Sequence, residues 1–297
     1  MLRRIGVLAV LALLLGSVLT VQAQDYPSRP IKLLIHTPPG SLVDVLGRLV
    51  GQELGDRLGQ SFVIDNRVGV WRLMRTLERL GIPATFFVNA RCTEVYPDAV
   101  KQIARSGFDI AAHSYTQDDL PSYFPPEEQD KLIRRSIDLL EGCAGKKVTG
   151  WGSPVVAFTP ETAGFLAKAG LNFTTDVTYA DLPIKIHTEH GVIAGVPTTD
   201  FSDNRVLRAS SRDLFDVHRS TFDYLREHET ISLQTLVIHC QFGGRALITA
   251  VLSELFKHMQ KSRDVWFTTH EALADWALKQ NVDEHTYQSR YFAGNKR

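Results

Sequence analysis

Four polar residues stand at the ends of apolar stretches that are typical of strands. They are His113, Ser153, Asp176 and His239. Imidazole and carboxylate groups can transfer protons to and from a substrate, and a hydroxyl can form hydrogen bonds with one. Because parallel strands of a barrel carry function at their carboxyl ends, we predict that these side chains converge on one site. The alternative is that each of them only satisfies a nearby backbone group or loop.

Alternating strands and helices must bring these residues together. Apolar runs predict strands at 84–88, 108–112, 148–151, 173–177, 191–197, 235–239 and 265–268. Amphipathic stretches predict helices at 70–80, 97–106, 126–141, 159–170, 213–227 and 246–261, with a last helix that includes Trp276. Strands that alternate with helices pair in parallel, and so many such units in sequence predict a barrel.

The first 23 residues have the pattern of a secretory signal peptide. Leu2-Arg3-Arg4 is a basic start, residues 5–21 are largely apolar, and Ala23 is a small residue suited to cleavage. A membrane anchor is the alternative, but the apolar run is short for a span and no basic flank follows it. We therefore expect a periplasmic or secreted protein with no stable membrane span in the mature chain. A cytoplasmic location is the alternative if the chain is not exported.

Residues 24–68 have a pattern of their own. A strand is predicted at 31–35, a turn at Pro38-Pro39-Gly40, a helix at 42–58 and a second strand at 62–64. This segment resembles the start of the solute-binding proteins of tripartite tricarboxylate transporters. In that family the Pro-Pro-Gly turn helps to bind a ligand carboxylate at the start of a helix. The resemblance covers ~45 residues of a fold with two full lobes, and it makes a periplasmic carboxylate-binding protein one alternative function.

Three ordered motifs lie in the rest of the chain. They are the stretch 107–118, which contains His113, the run Gly150-Trp-Gly-Ser-Pro, and the run Leu236-Val-Ile-His-Cys-Gln. From about residue 69 the chain thereby resembles the polysaccharide deacetylase (NodB-homology) family. Residues 69–74 and Gly244-Arg245 are similar to the branch that contains metal-independent allantoinases and peptidoglycan deacetylases. The resemblance implies a distorted (β/α) barrel that hydrolyses an amide in N-acetylated polysaccharide or in a ureide-like small molecule.

Two features depart from the family pattern. The family's metal site takes one Asp and two His that are four residues apart, but Gln117 stands four residues after His113. An amide is a poor ligand for a transition metal, and the spacing of Asp118 is wrong for the usual geometry. We therefore assign no metal site, and His113 is the candidate ligand if zinc or another divalent metal binds. The family's first strand, which carries an Asp pair, is missing or replaced by the transporter-like segment. The strand at 31–35 can fill that place, but it ends at His36 rather than at an acid.

The resemblance implies roles for the candidate residues. His239 is the general acid or base, Asp176 orients it or binds substrate, and His113 holds water or polarises the carbonyl. The predicted substrate contacts are Trp151, Ser153, Arg245, Tyr115 and Gln117. Two of them have a simpler interpretation, since Trp151 can be a core residue and Tyr115 a solvated loop residue.

Composition excludes some classes of partner. The chain has 33 basic and 33 acidic residues, and this zero net charge argues against nucleic acid and against an anionic membrane surface. Cys92, Cys143 and Cys240 show no CxxC spacing, so at most one disulfide can form, and three free thiols are the preferred interpretation. The predicted partner is a carbohydrate or a small amide substrate, and the sequence indicates no oligomeric state.

The predicted organisation has four parts. These are a signal peptide at 1–23, a transporter-like segment at 24–68, a deacetylase-like domain at 69–280 and a polar tail at 281–297. The tail can be an interaction arm or a disordered end. The favoured function is hydrolysis of a non-peptide carbon–nitrogen bond. A catalytically degenerate product of gene fusion is the alternative, and the two differ in whether the barrel is completed.

Overall fold

The computed structural model describes residues 31–34, 42–58, 62–65, 68–199, 201–207 and 210–280. The predicted signal peptide, the Pro38-Pro39-Gly40 turn, His36 and the polar tail lie outside these residues. No helix within the described ranges is long and apolar enough to cross a membrane. The chain divides into two compact units, residues 1–66 and residues 67–297.

The first unit contains one parallel strand pair and one helix. Strand β1 is Ile31–Leu34, helix α1 is Leu42–Leu58 and strand β2 is Phe62–Asp65. The two strands run parallel, with Ile31 opposite Phe62 and Leu34 opposite Asp65. This is the strand–helix–strand order that the sequence predicts for the segment.

The second unit is built on a sheet of six strands, all of which come from residues 85–197. The strands are β3 Thr85–Val88, β4 Asp109–Ala112, β5 Gly150–Trp151, β6 Phe173–Val177, β7 Ile184–Thr188 and β8 Gly191–Pro197. Their order across the sheet is β3-β4-β5-β6-β8-β7. All neighbours are parallel except β7 and β8, which form an antiparallel pair at one edge. The predicted α/β class with a parallel sheet is confirmed.

Helices connect and cover these strands. They are α2 Val68–Leu80, α3 Cys92–Val95, α4 Pro97–Arg105, α5 Pro126–Ala144, α6 Thr162–Lys168, α7 Asp203–Val206, α8 Arg212–His228, α9 Ala246–Met259 and α10 His270–Lys279. Short 3-10 turns occupy Pro121–Tyr123 and Pro154–Val156. Most of these helices have the bounds that apolar periodicity predicts, to within a few residues.

The sheet is buried on both faces. Along β4, Ile110 and Ala112 belong to the larger core cluster, whereas Ala111 belongs to a smaller one. Neighbouring residues of a strand point to opposite faces, so the two clusters lie on opposite sides of the sheet. Helix α10 covers the second side, where Leu273 and Ala274 are buried with strand residues. Burial on both faces is why these strands are apolar runs rather than alternating ones.

Two predicted strands are wrong. Residues 235–239 and 265–268 are described, but neither segment forms a strand. In the first segment the backbone groups have other partners: the carbonyl of Val237 accepts from the N–H of Asp203, and the N–H of His239 donates to that residue's carboxylate. The Thr235 hydroxyl bonds the carbonyl of Pro197 at 2.9 Å. The segment therefore lies beside the end of β8 without forming a ladder.

One strand was missed. Strand β7 pairs with β8 around the two-residue turn Glu189-His190, with Thr188 opposite Gly191. Gly191, the first residue of β8, has φ 128°, a backbone conformation that favours glycine. The alternation of Ile184 and Ile186 with polar residues, followed by this glycine, is a hairpin signal that the sequence does contain.

Candidate active site

A buried carboxylate holds the predicted catalytic histidine. Nδ1 of His239 lies 2.6 Å from Oδ1 of Asp203. Since a carboxylate accepts the hydrogen bond, the Nδ1–H group of His239 donates to it, and Nε2 is the ring nitrogen that does not face Asp203. Asp203 is fully buried, whereas 37% of the His239 side chain is exposed. Only the histidine of this pair can therefore meet a substrate.

Backbone donors fix the position of Asp203. The N–H groups of His239 and Gly243 both donate to Oδ2 of Asp203 at 2.8 Å. These bonds offset part of the cost of burying a carboxylate. A Cβ atom on Gly243 would lie 2.1 Å from the Ile238 side chain and 3.0 Å from Oδ2 of Asp203. Glycine is therefore required for the backbone to approach the carboxylate this closely.

Helix α2 supports the turn that follows His239. A Cβ atom on Gly244 would lie 2.4 Å from Cα of Gly69, and one on Gly69 would lie 1.9 Å from the carbonyl oxygen of Cys240. Nη1 of Arg72 donates to the carbonyl of Gly244. The stretch 69–74, which the sequence analysis singled out, thus packs directly against the turn that carries the donors to Asp203.

The second predicted histidine follows β4. Nδ1 of His113 lies 2.6 Å from the carbonyl oxygen of Gly152, which only accepts, so Nδ1 is protonated and Nε2 carries the lone pair. The backbone N–H of His113 donates to Val88 at 3.1 Å, and its carbonyl accepts from the Asn89 amide. Ser114 is buried and has φ 60°, so the chain turns sharply immediately after the histidine.

Electrostatics keep His113 neutral. Burial lowers the pKa of His113 to about 4, and the nearby imidazole of His239 lowers it further. Hydrogen bonds with the Gly152 carbonyl and the Gln117 side chain act in the opposite direction without restoring the usual pKa. The structure thus brings His113, Gln117 and His239 into one region.

Ser153 and Asp176 form a separate buried network with Trp151. The backbone N–H and the hydroxyl of Ser153 each donate to the Asp176 carboxylate at 2.7 Å. The indole N–H of Trp151 donates to the Ser153 hydroxyl at 2.9 Å. Burial raises the pKa of Asp176, and the bonds from Ser153 oppose that rise. The network joins the end of β5 to β6. Ser153 directly follows Gly152, whose carbonyl bonds His113.

This network corrects three of the predicted roles. Asp176 does not orient His239, because its oxygens bond Ser153 and the orienting carboxylate is Asp203. Trp151 is fully buried, so it belongs to the core and cannot stack on a sugar. Ser153 is only 4% exposed and its hydroxyl is occupied on both sides, so it positions the strand end rather than contacting substrate directly.

Tyr115 and Arg245 have different surroundings. The Tyr115 hydroxyl donates to the Glu94 carboxylate at 3.0 Å, and the Arg135 guanidinium lies 4.0 Å from the centre of its ring. Tyr115 is thereby held by two charged neighbours, which leaves little of it for a substrate. Arg245 is exposed at the start of α9, directly after the Gly243-Gly244 turn, and its predicted contact with substrate stays a prediction.

Sequence reasoning missed Asp203. The residue lies six positions after the end of β8 and starts the short helix α7. The rule that functional residues lie at the carboxyl ends of parallel strands therefore applies to it as well. Its signal in the sequence is weak, because a single acid in a polar loop is common. Only the fold shows that its carboxylate reaches His239.

The residues present do not fit the usual metal site of three ligands. Within the described residues no three His, Cys, Asp or Glu side chains are grouped so that they could hold a metal ion. Nε2 of His113 is an available ligand atom, but the residue four positions on is Gln117, an amide, where the family pattern has a second histidine. We therefore derive no chemical step through a metal.

The cysteines take no part in this chemistry. Cys92, Cys143 and Cys240 are all free thiols and partly buried. Burial raises the pKa of Cys240 to about 12 and that of Cys92 to about 11, so both stay protonated at neutral pH. A thiol nucleophile beside His239 is unsupported.

A family model matches a stretch that begins in β2 and ends in β6. Residues 63–174 match the family model described as polysaccharide deacetylase. The chain contains a polysaccharide deacetylase domain. The peptidoglycan deacetylase of Helicobacter pylori is 21% identical over 272 residues, which cover 80% of this chain and 92% of that protein. The predicted resemblance is confirmed.

Solved structures have the same fold as this deacetylase domain. A Mycobacterium smegmatis protein described as a polysaccharide deacetylase superposes with a TM-score of 0.67 at 21% identity, covering 84% of this chain and 89% of that one. PuuE allantoinase superposes with a TM-score of 0.66 at 23% identity, covering 73% and 74%.

A second set of relatives has other names and matches shorter stretches of the chain. Protein BugT of Bordetella pertussis is 36% identical over 76 residues, which are 26% of this chain and 23% of BugT. A UPF0065 protein of Bordetella bronchiseptica is 47% identical over 57 residues, or 19% of this chain and 17% of that protein. These short matches agree with the predicted transporter-like segment.

Proposed function

We propose that the protein hydrolyses the acetamide of N-acetylated sugar units in a polysaccharide, releasing acetate and leaving a free amine. The observation that carries this proposal is the hydrogen bond from His239 to the buried Asp203. The ring of His239 lies near His113, in a chain that matches the polysaccharide deacetylase family. Hydrolysis of an amide needs a base for the attacking water and an acid for the leaving nitrogen, and one histidine can serve as both in turn.

His239 performs the proton transfers in this proposal. Its Nε2 takes a proton from water as the water oxygen bonds to the acetyl carbon. The imidazolium then gives that proton to the sugar nitrogen as the carbon–nitrogen bond breaks. Asp203 keeps Nδ1 protonated throughout and stabilises the imidazolium, so the ring is already oriented when the reaction starts.

His113 supports this step by staying neutral. A second positive charge close to His239 would oppose formation of the imidazolium. With a pKa of about 4, His113 carries no charge at neutral pH, and its Nε2 can accept a hydrogen bond from the attacking water. Arg245, exposed beside the glycine turn, remains the candidate donor to the carbonyl oxygen of the substrate.

The substrate class is supported by the relative and by the start of the chain. The Helicobacter pylori relative is named for deacetylation of peptidoglycan, a polymer of N-acetylated sugars. The basic and apolar start of the sequence supports export to the periplasm or the exterior, where such a polymer is found. We also propose that the chain arose by fusion of the transporter-like segment to the deacetylase domain.

The test is a substrate panel. Acetate release from N-acetylglucosamine oligomers and ring opening of allantoin are measured with the purified chain, with added zinc and with a chelator. We expect acetate release that the chelator leaves unchanged, and no turnover of allantoin. Turnover of allantoin alone would show that the substrate is a ureide rather than an N-acetylated sugar. Acetate release that depends on zinc would contradict the conclusion that the residues present do not form the usual metal site.

A further inference from the structure

Three apolar side chains are exposed on the two loops that follow the neighbouring strands β4 and β5. Tyr123 is 78% exposed, Val155 is 72% exposed and Phe158 is 43% exposed. The loop with Tyr123 follows β4 and His113, and the loop with the other two follows β5 and Ser153. Single exposed apolar residues are common, but a group on adjoining loops marks a binding surface when those loops are fixed in place. We call these three residues the rim platform.

A hydrogen bond ties the two loops together. The N–H of Ser122 donates to the carbonyl of Ala157 at 3.2 Å. Each loop also contains a 3-10 turn that begins with proline, Pro121–Tyr123 in the first and Pro154–Val156 in the second. Proline restricts the backbone, so each turn loses less conformational entropy when the platform forms.

A buried amide fixes both loops to helix α5. The Gln129 side chain is fully buried, and its amide nitrogen donates to the carbonyl of Pro121 at 3.2 Å. Its amide oxygen accepts from the Thr162 hydroxyl at 2.6 Å, while the nitrogen also reaches the Thr159 hydroxyl at 3.2 Å. Gln129 thus joins the start of the first turn to the chain that follows the second.

The second turn holds an unfavourable backbone conformation. Val155 has φ 49° and ψ 24°, and Val156 has φ 58°, a left-handed conformation that β-branched residues rarely adopt. Such a conformation costs about 1–3 kcal/mol per residue and persists only where the surroundings impose it. Because Val155 is largely exposed, burial of its own side chain in the core does not offset this cost. Contact with a ligand would explain why an apolar side chain occupies the exposed position 155.

We propose that the rim platform binds the sugar rings that flank the N-acetylated unit being hydrolysed, so that the enzyme prefers a long glycan to a short one. This inference rests on the proposed function. The faces of a pyranose ring carry C–H groups that pack against apolar and aromatic side chains, while its hydroxyls stay in water at the ring edge. Because the two loops start from the strand ends at His113 and Ser153, a platform fixed on them would hold those rings beside the reacting unit.

Binding is tested without catalysis. The His239→Ala protein, alone and with Tyr123→Ser and Val155→Ser added, is incubated with insoluble chitin, and the bound fraction is measured. We expect the added substitutions to weaken binding roughly tenfold, whereas Tyr224→Ser, on an exposed tyrosine of α8, leaves it unchanged. No binding by the His239→Ala protein, or equal binding by all three proteins, would overturn the platform.

Kinetics separate this inference from the proposed function. In the active enzyme, Tyr123→Ser with Val155→Ser should lower kcat/KM several-fold more for a long N-acetylglucosamine oligomer than for the dimer. Equal losses on both substrates would overturn the platform while leaving the deacetylase proposal intact. If the wild-type chain releases no acetate from either oligomer, the proposed function fails, and loss of chitin binding in the platform variant still supports the glycan surface.

Discussion

Asp203 is the residue on which the chemistry depends most after His239. Its carboxylate is buried and accepts from three backbone N–H groups, those of Asn204, His239 and Gly243. Nδ1 of His239 bonds the same carboxylate at 2.6 Å. Asparagine has the same shape but cannot stabilise an imidazolium, and its amide can select the wrong tautomer of the ring. We predict that Asp203→Asn lowers kcat for acetate release by roughly 10²–10⁴-fold, as removal of general acid–base catalysis does.

A matched control exists for this substitution. Asp223 also bonds a histidine, with its Oδ1 2.9 Å from Nε2 of His258, but this pair is on the surface. Asp223→Asn should leave kcat within about twofold, since exposed pairs contribute little. Equal losses in the two variants would show that the Asp203 result reflects general damage to the protein.

Gly243 provides a second prediction at this scale. The Cβ atom of alanine would overlap the Ile238 side chain and press on the Asp203 carboxylate. Gly243→Ala should therefore lower both activity and the free energy of unfolding, the latter by about 1–3 kcal/mol. Gly142→Ala, in helix α5 with open space around the new atom, should instead stabilise by about 0.5–1 kcal/mol. Full activity in Gly243→Ala would contradict the account of the turn.

The sequence predicted half of this pair. His113 and His239 were found because each follows an apolar run, and both lie in the site. Asp203 was not found, and Asp176 was given its role, because sequence alone orders strand ends along the chain without showing which side chains meet. Asp176 and Asp203 both lie near the ends of strands, and the geometry of the loops decides which of them bonds His239. No local sequence pattern encodes that geometry.

At the scale of the elements, the contact between helix α10 and the sheet makes a prediction about pH. His270 starts this helix with its ring 5.2 Å from that of Phe87 and stacked at 5.9 Å on Phe173. Burial lowers the pKa of His270 from 6.5 to about 4. The unfolded chain therefore binds this proton more readily, and stability is lost as the pH falls from about 6.5 to about 4.

Replacing His270 tests this directly. His270→Phe keeps an aromatic ring in place and removes the titrating group, so the free energy of unfolding should fall less between pH 7 and pH 4.5 than in the wild type. Denaturant unfolding at the two pH values measures the difference. An identical loss in both proteins would mean that His270 is not the group responsible, since His113 titrates over the same range in each.

The helices of the second unit were easier to predict than its strands. Helix α2 buries Val70, Leu73, Met74 and Leu77 at helical spacing, so its periodicity marks it clearly. Segments 235–239 and 265–268 are apolar enough to be strands, yet neither joins the sheet. An apolar run shows that a segment is buried, but whether its backbone pairs depends on partners far along the chain.

For the whole molecule, the sequence separates two resemblances and the structure separates two compact units. The change of pattern near residue 68 falls close to the division between residues 66 and 67. The six strands of the deacetylase unit start only at Thr85, so the acidic pair that the family carries on an earlier strand has no counterpart within this sheet. The proposed chemistry consequently depends on histidines rather than on the usual metal ligands.

The rate of acetate release by the His239→Ala chain tests the central claim most directly. Wild type, His239→Ala and His258→Ala are compared on N-acetylglucosamine oligomers. His258 is the control because it also bonds a carboxylate, that of Asp223, in an exposed pair. We predict release by the wild type and by His258→Ala, and a loss of at least roughly 100-fold in His239→Ala. Equal release by all three proteins would contradict the assignment of His239, and no release by the wild type would contradict the proposed function itself.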